Sequence, residues 1–266
     1  MTASKIELAV VLAAGQGIRL GALGEEIPKG MIRVGEQPIL EESIGRLRRA
    51  GIRRVLVVTG HLAGQLAVLA QRAPGMVDLA HNERYEKGGS LSSLACALEQ
   101  VREDFLLLES DLVYEQRAID VLTAQDPGNI VLVSGETHAG DEVWVETTGA
   151  AAGHGLVAMS KKRGSLGPQV LGELTGITRL RAAAVPALRS CAQVLAARGG
   201  PADYEDALVA LARVAPMQVH LIADLVWAEI DTPAMLERVR REVYPAIARA
   251  EGRSFTVTAP APGRRA

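Results

Sequence analysis

The sequence predicts an α/β protein: a doubly wound, mostly parallel sheet with an antiparallel ribbon inserted in its second half. Three observations carry this expectation. Short apolar runs alternate with segments of helical periodicity from residue 6 to about residue 111, the pattern of strands covered by helices on both faces. A glycine-rich loop follows the first run directly, and sheets of this kind bind ligands at the carboxyl ends of their strands. After Pro127, strand-like runs succeed one another through glycine-bearing turns without helical segments between them.

The elements follow in order. Residues 6–12 are apolar and β-branched apart from Glu7 and read as a buried first strand. In 38–49, Leu40, Ile44 and Leu47 fall at helical spacing behind Pro38, which suits a helix start, and Gly51 ends the segment. Residues 54–59 form a second buried strand, 61–71 a helix and 76–81 a short third strand. A polar loop over 82–89 leads to Ser90, which is expected to cap the helix 91–101. Residues 105–108 make a fourth strand that ends in Glu109, Ser110 and Asp111. The runs 129–133, 142–147, 154–160 and 173–178 are expected as the inserted ribbon. Helices over 184–198 and 203–214, a strand over 218–222, the segment 227–231 and a helix from Thr232 and Pro233 to about Ala250 complete the chain. One domain is expected over 1–251, with the insertion at 129–180, and a frayed tail over 252–266.

Composition narrows the function classes. The chain has 266 residues, 48% of them hydrophobic and 23% charged, and a net charge of −2. That balance gives no electrostatic footprint for nucleic acid. No apolar run approaches the length of a membrane span and no signal peptide is expected, so the reading is a cytoplasmic protein without nucleic-acid or membrane partners. Cys96 and Cys191 lack metal-type spacing and read as reduced thiols, and the five histidines are scattered. The oligomeric state stays open, a homodimer among the options.

The chemistry concentrates in Val11-Leu-Ala-Ala-Gly-Gln-Gly-Ile-Arg-Leu20, followed by Pro28 and Lys29. Gly15 and Gly17 let backbone N–H groups approach phosphate oxygens, while Arg19 and Lys29 supply positive charge where a polyphosphate would lie. A dinucleotide fingerprint would need glycine at Leu20, and a Walker A loop would need Ser or Thr after its lysine, where this chain has Gly30. Asp111, at a strand's carboxyl end, and Asp231, just before a helix, are candidate ligands for Mg²⁺, a hard cation that takes carboxylate and phosphate oxygens. Both also suit helix N-caps. Trp144 beside Asp141 and Glu142, and Tyr204 beside Asp203, Glu205 and Asp206, offer aromatic faces with carboxylates, a combination that suits a cationic amine. Lys161, Lys162, Arg163 and Arg179 offer the opposite, an anionic acceptor.

From residue 6 to about residue 245 the order of pieces resembles the nucleotidyltransferase superfamily, with its Rossmann-like sheet. It is most similar to the cytidylyltransferase branch that activates 2-aminoethylphosphonate, related phosphonates or phosphocholine with CTP. The likeness is carried by residues 12–20, 28–31, 35–41 and 51–60, and more weakly by 82–94, 109–111, 172–177 and 229–231. The resemblance implies transfer of CMP to a small phosphonate or phosphomonoester, with Mg²⁺ and release of pyrophosphate. It assigns Leu12, Ala13, Ala14, Gly15, Gln16 and Gly17, with Gly89, Ser90 and Ser93, to the nucleotide, and Arg19 and Lys29 to the reacting phosphates. Asp111 and Asp231 would hold Mg²⁺. Glu173 and Glu229, in the matching later segments, join Trp144 and Tyr204 as expected acceptor contacts. The rival readings are a uridylyl- or thymidylyltransferase acting on a sugar 1-phosphate, a guanylyltransferase acting on a pterin cofactor, and a silent NTP-binding module.

Overall fold

A computed structural model describes residues 5–124 and 128–252. The seven strands of the central sheet lie in the order β10-β6-β9-β4-β1-β2-β3. They are β1 (Leu8–Ala13), β2 (Arg54–Thr59), β3 (Val77–His81), β4 (Phe105–Glu109), β6 (Asn129–Ser134), β9 (Val170–Leu180) and β10 (Met217–Ile222). All run parallel except β9, which is antiparallel to both β4 and β6.

Alternation along each strand explains why the runs are apolar without a break. In β1, Leu8, Val10 and Leu12 pack into one layer and Ala9, Val11 and Ala13 into the other. The first layer lies under α4 (Gly89–Leu98), α6 (Val185–Ala196) and α7 (Tyr204–Ala212). The second lies under α2 (Ile39–Arg49), α3 (Ala63–Arg72) and α5 (Arg117–Ala124). A strand buried on both faces has no polar side to show. A third cluster joins the 3₁₀ and short helical turns after β1, including α1 (Ala22–Glu26), to α8 (Pro233–Arg238) and α9 (Tyr244–Ala250).

The structure corrects two expectations. The runs at 129–133 and 173–178 belong to the main sheet, as β6 and within β9, because β9 pairs with β6 along one edge and with β4 along the other. The ribbon itself is β7 (Trp144–Thr147) and β8 (Leu156–Ser160), laid onto the first part of β9. Ser90 does not cap its helix. Gly88 holds the N-cap position, and the Ser90 hydroxyl is engaged by the start of α7, accepting from the Tyr204 N–H at 2.9 Å and donating to Asp203 at 3.3 Å. The expected tail, beyond Gly252, lies outside the described residues. Among those described, no helix is long and apolar enough to cross a membrane.

Candidate active site

Two remote carboxylates converge through a small second sheet. β5 (Leu112–Tyr114) directly follows Asp111, and β11 (Trp227–Glu229) leads to Asp231. The two strands pair antiparallel, with Leu112 opposite Glu229, and the Ile230 N–H donates to the Asp111 carbonyl at 3.0 Å. Asp111 and Asp231 are therefore delivered to one place, and both are buried.

Between them lies Lys29. It opens a 3₁₀ turn behind Pro28, and its Nζ donates to Asp111 Oδ2 at 2.7 Å and to Asp231 Oδ1. Burial opposes the charge on Lys29, but the two aspartates outweigh it and hold the ammonium above the ordinary lysine pKa. Arg19 reaches the same point from the glycine-rich loop, donating to Asp231 and, at 3.3 Å, to Asp141 Oδ2. That loop is tightly folded. Gly17 adopts φ 65°, and a Cβ on Gly24 would lie only 2.2 Å from the Gly17 carbonyl oxygen, so both positions demand glycine.

Two clefts of about 230 Å³ meet at this cluster, sharing Lys29, Ser90, Glu109 and Asp111. The first is lined by Leu12, Ala13, Ala14 and Gly15 from the end of β1, by Tyr85, and by Gly89, Ser90 and Ser93 from the start of α4. A shallower recess continues from it over Gly15, Gln16, Gly17 and Arg19 to Asp231. The residues expected at the nucleotide thus form one continuous surface. A wider groove of about 550 Å³ on the other side of the 82–88 loop contains none of Lys29, Asp111 and Asp231.

The second cleft is acidic. Glu109, Asp111, Asp141, Glu142, Glu173, Asp203, Glu205, Glu229 and Asp231 line it, against the cations Arg19, Lys29 and Lys161. Its walls include Tyr204 and Trp227. The Tyr204 hydroxyl donates to Glu109 at 2.6 Å, and the Trp227 indole donates to Ser134 at 2.7 Å. Burial, with neighbouring carboxyl groups adding to it, raises the pKa of four of these side chains. Burial, then the neighbouring Asp111 and Glu205, push Glu109 well above the usual carboxylate range. Burial, then a hydrogen bond with Asp141, do the same to Glu229. Burial raises Glu205 to about 7, and raises Glu173 to about 7 despite two hydrogen bonds from Thr137.

Of the four residues expected at the acceptor, Glu173, Tyr204 and Glu229 line this cleft. Trp144 is not among its lining residues; its ring is buried beneath the Arg163 guanidinium, 4.3 Å from the ring centroid. Of the cations considered for an anionic acceptor, only Lys161 reaches the cleft, and Arg179 is buried with its guanidinium donating to the Leu122 carbonyl. Sequence reasoning passed over Glu109, Trp227 and Tyr85, and gave Asp141 no metal-site role. Oxygens of Asp141, Glu229 and Asp231 lie within 4.8 Å of one another. Asp141 sits on the connection between β6 and β7, and no local pattern announces which distant strand end such a loop will meet.

Comparison with known proteins places this geometry in a family. A 30% identical relative over 236 residues, 85% of this chain and 37% of its own length, is the CMP-5'-(3-aminopropyl)phosphonate synthase of Streptomyces rubellomurinus. The 2-aminoethylphosphonate cytidylyltransferase of Lancefieldella rimae is 34% identical over 112 residues, 42% of this chain and 45% of its own length. The chain thus spans less than half the length of either relative. Among solved structures, the inositol-1-phosphate CTP transferase from T. maritima shares the fold with a TM-score of 0.77 at 19% identity, covering 95% of this chain and 99% of its own. The profile of the MobA-like NTP transferase domain matches residues 9–252, and the chain belongs to that family.

Proposed function

We propose that this chain transfers CMP from CTP to a small phosphonate or phosphomonoester that carries a cationic amine, releasing pyrophosphate. The observation that carries the reading is the acidic cleft opening directly beside the Lys29–Asp111–Asp231 cluster. An acceptor must bring an anionic oxygen to the cations, while the rest of it must tolerate a surplus of carboxylates. An aminoalkyl phosphonate or phosphocholine satisfies both demands, and the names of the two relatives are consistent with it.

The donor set also fits Mg²⁺. Asp111 and Asp231 offer hard oxygen ligands with Asp141 and Glu229 close to Asp231, and the carboxylates here exceed the cations that neutralise them. Asp111 and Asp231 would hold the ion, which when bound supplies charge neutralisation for a triphosphate. The chain's own residues do the rest. Gly15 to Arg19 receive the phosphates on backbone N–H groups and a guanidinium. Lys29 stabilises charge on the reacting phosphate. The acceptor's phosphonate oxygen is already ionised near neutral pH, so positioning in line with the α-phosphorus replaces a general base.

The test is pyrophosphate release with Mg²⁺, crossing CTP, UTP, dTTP and GTP against a panel of acceptors. The panel is 2-aminoethylphosphonate, 3-aminopropylphosphonate, phosphocholine, 2-hydroxyethylphosphonate, phosphonoformate and glucose 1-phosphate. Turnover should require CTP and favour the three amine-bearing acceptors. Preference for phosphonoformate would refute the amine, and turnover with UTP or dTTP and glucose 1-phosphate would replace the reading with sugar-nucleotide synthesis.

A further inference from the structure

Tyr85 stands at the junction of two recesses of the site. It lines the cleft shared by Ala14, Ser93 and Asp111, and it also lines the recess over Gly17, Arg19 and Asp231. The first of these is bounded by the end of β1 and the start of α4, and the second by the phosphate-type loop. A side chain standing where they join faces the middle of any molecule that occupies both.

That placement is built into the fold. Asn82, buried at the end of β3, donates from its amide nitrogen to Ser92 Oγ at 2.8 Å and Ser93 Oγ at 3.1 Å. Its Oδ1 accepts the Arg84 N–H at 3.0 Å and its carbonyl accepts the Tyr85 N–H at 3.2 Å. The loop bearing Tyr85 is thereby tied to α4. Below the ring, a Cβ on Gly60 would come within 2.6 Å of the Tyr85 Cβ and 2.8 Å of the Ala14 carbonyl oxygen. Glycine at this strand end lets the tyrosine rest directly on the ends of β1 and β2. The His81 ring meets it edge-on, with 6.3 Å between centroids. The hydroxyl donates to its exposed neighbour Glu86, at 3.3 Å.

We propose that Tyr85 is the platform for the nucleoside: its ring packs against the ribose and pyrimidine of the bound triphosphate, while Gly15 to Arg19 take the phosphates. The inference rests on the cytidylyl-transfer reading. Tyrosine suits the task, since it offers a large rigid face with only two side-chain torsions to fix. Packing of this kind uses the ring face and not the hydroxyl, and it serves every pyrimidine alike. Tyr85 therefore contributes affinity without choosing cytosine over uracil.

Calorimetric titration in Mg²⁺ of wild type, Tyr85→Phe and Tyr85→Ala with CTP, UTP and inorganic tripolyphosphate tests this. Tyr85→Phe should bind CTP within about twofold of wild type, and Tyr85→Ala roughly tenfold or more weakly. The alanine variant should lose CTP and UTP affinity by the same factor and keep its tripolyphosphate affinity. Equal CTP binding by the alanine variant, equal impairment of both variants, or parallel loss of tripolyphosphate would each overturn the proposal. A wild type that binds no CTP would overturn the cytidylyl-transfer reading itself, and the platform with it.

Discussion

Lys29→Met separates the two services that Lys29 performs. In this structure its ammonium is the counter-ion of Asp111 and Asp231, whose side chains are 7% and 5% exposed, while its own is 19% exposed. A unit charge at about 4 Å and an effective dielectric constant of about 20 is worth about 4 kcal/mol. Breaking a buried pair from one side costs about 3 to 5 kcal/mol, and the residual exposure of Lys29 argues for the lower end. Without divalent cations the variant should therefore be about 3 kcal/mol less stable, which for a chain this long is a fall of about 6 to 12 °C in Tm. If Asp111 and Asp231 hold Mg²⁺, the variant has vacated the oxygens the ion needs. Mg²⁺ at about 100 times its dissociation constant should return about 2.7 kcal/mol. Wild type should gain less, because there the ion must displace the ammonium. The assay is thermal unfolding across a Mg²⁺ titration, with turnover measured in parallel. The two Tm curves should converge as Mg²⁺ rises, while turnover stays about 100-fold or more below wild type. Equal responses of both proteins to Mg²⁺ would refute the shared-oxygen argument, and normal turnover would refute the assignment of Lys29 to the phosphates.

Three further outcomes follow from particular contacts. Glu173 has its folded pKa pushed up to about 7 from the ordinary 4.5, so in that window it holds more proton folded than unfolded, and its contribution to stability falls as pH rises. Glu173→Gln should flatten the stability profile between those two values, read by denaturant unfolding at a series of pH values; an unchanged slope would contradict the shift. Gly24→Ala puts a Cβ 2.2 Å from the Gly17 carbonyl, so it should cost about 1 to 3 kcal/mol through overpacking and raise KM for CTP as the loop moves. Asn82→Ala removes a buried side chain that makes three hydrogen bonds. It should cost about 1 to 3 kcal/mol and weaken CTP binding in the same direction as loss of Tyr85.

The parallel half of the sheet is legible in the sequence because burial on both faces leaves a continuous apolar run. The apolar run 54–59 predicts a strand and forms β2 with the same bounds, while β1 begins two residues after the start of the run that predicts it. The same signal is present in Asn129–Ser134, yet the strand-like runs that follow it succeed one another through glycine-bearing turns without a helix between them, which suggests a ribbon. What decides is β9, a strand of 11 residues whose two ends serve different partners. Partnership of that kind depends on long-range register, which a local pattern does not encode. The site divides along the same line. Gly15, Gly17, Arg19 and Lys29 lie close together in a short glycine-rich stretch and can be picked out from residue type alone. The meeting of Asp111 with Asp231 depends on the β5–β11 pairing, and β5 is only three residues long. Tyr85 and Asp141 are set by loops whose anchors, Asn82 in one case and Arg19 in the other, are contacts through space.

The reversal of β9 also bears on how acceptor choice can change without disturbing the nucleotide. Parallel strands β1 and β4 present their carboxyl ends to the first cleft. Because β9 runs the other way, its early residues Glu173, Leu174 and Gly176 arrive at that same rim and line the second cleft. The ribbon pairs with β9 over residues 170–173, and its flanking residues Asp141, Glu142, Val143 and Lys161 line the second cleft and are not among the lining residues of the first. Glu142 is the sharpest place to test this division. Its carboxylate lines the acidic cleft and is held below the usual range chiefly by the Gly140 N–H, so it stays charged at neutral pH. Glu142→Gln keeps the shape and removes the charge. It should raise KM for an amine-bearing acceptor severalfold and leave the calorimetric affinity for CTP unchanged. A parallel fall in CTP affinity would mean that the two clefts are coupled through Asp141 and Arg19, and the independence argued from the strand reversal would fail.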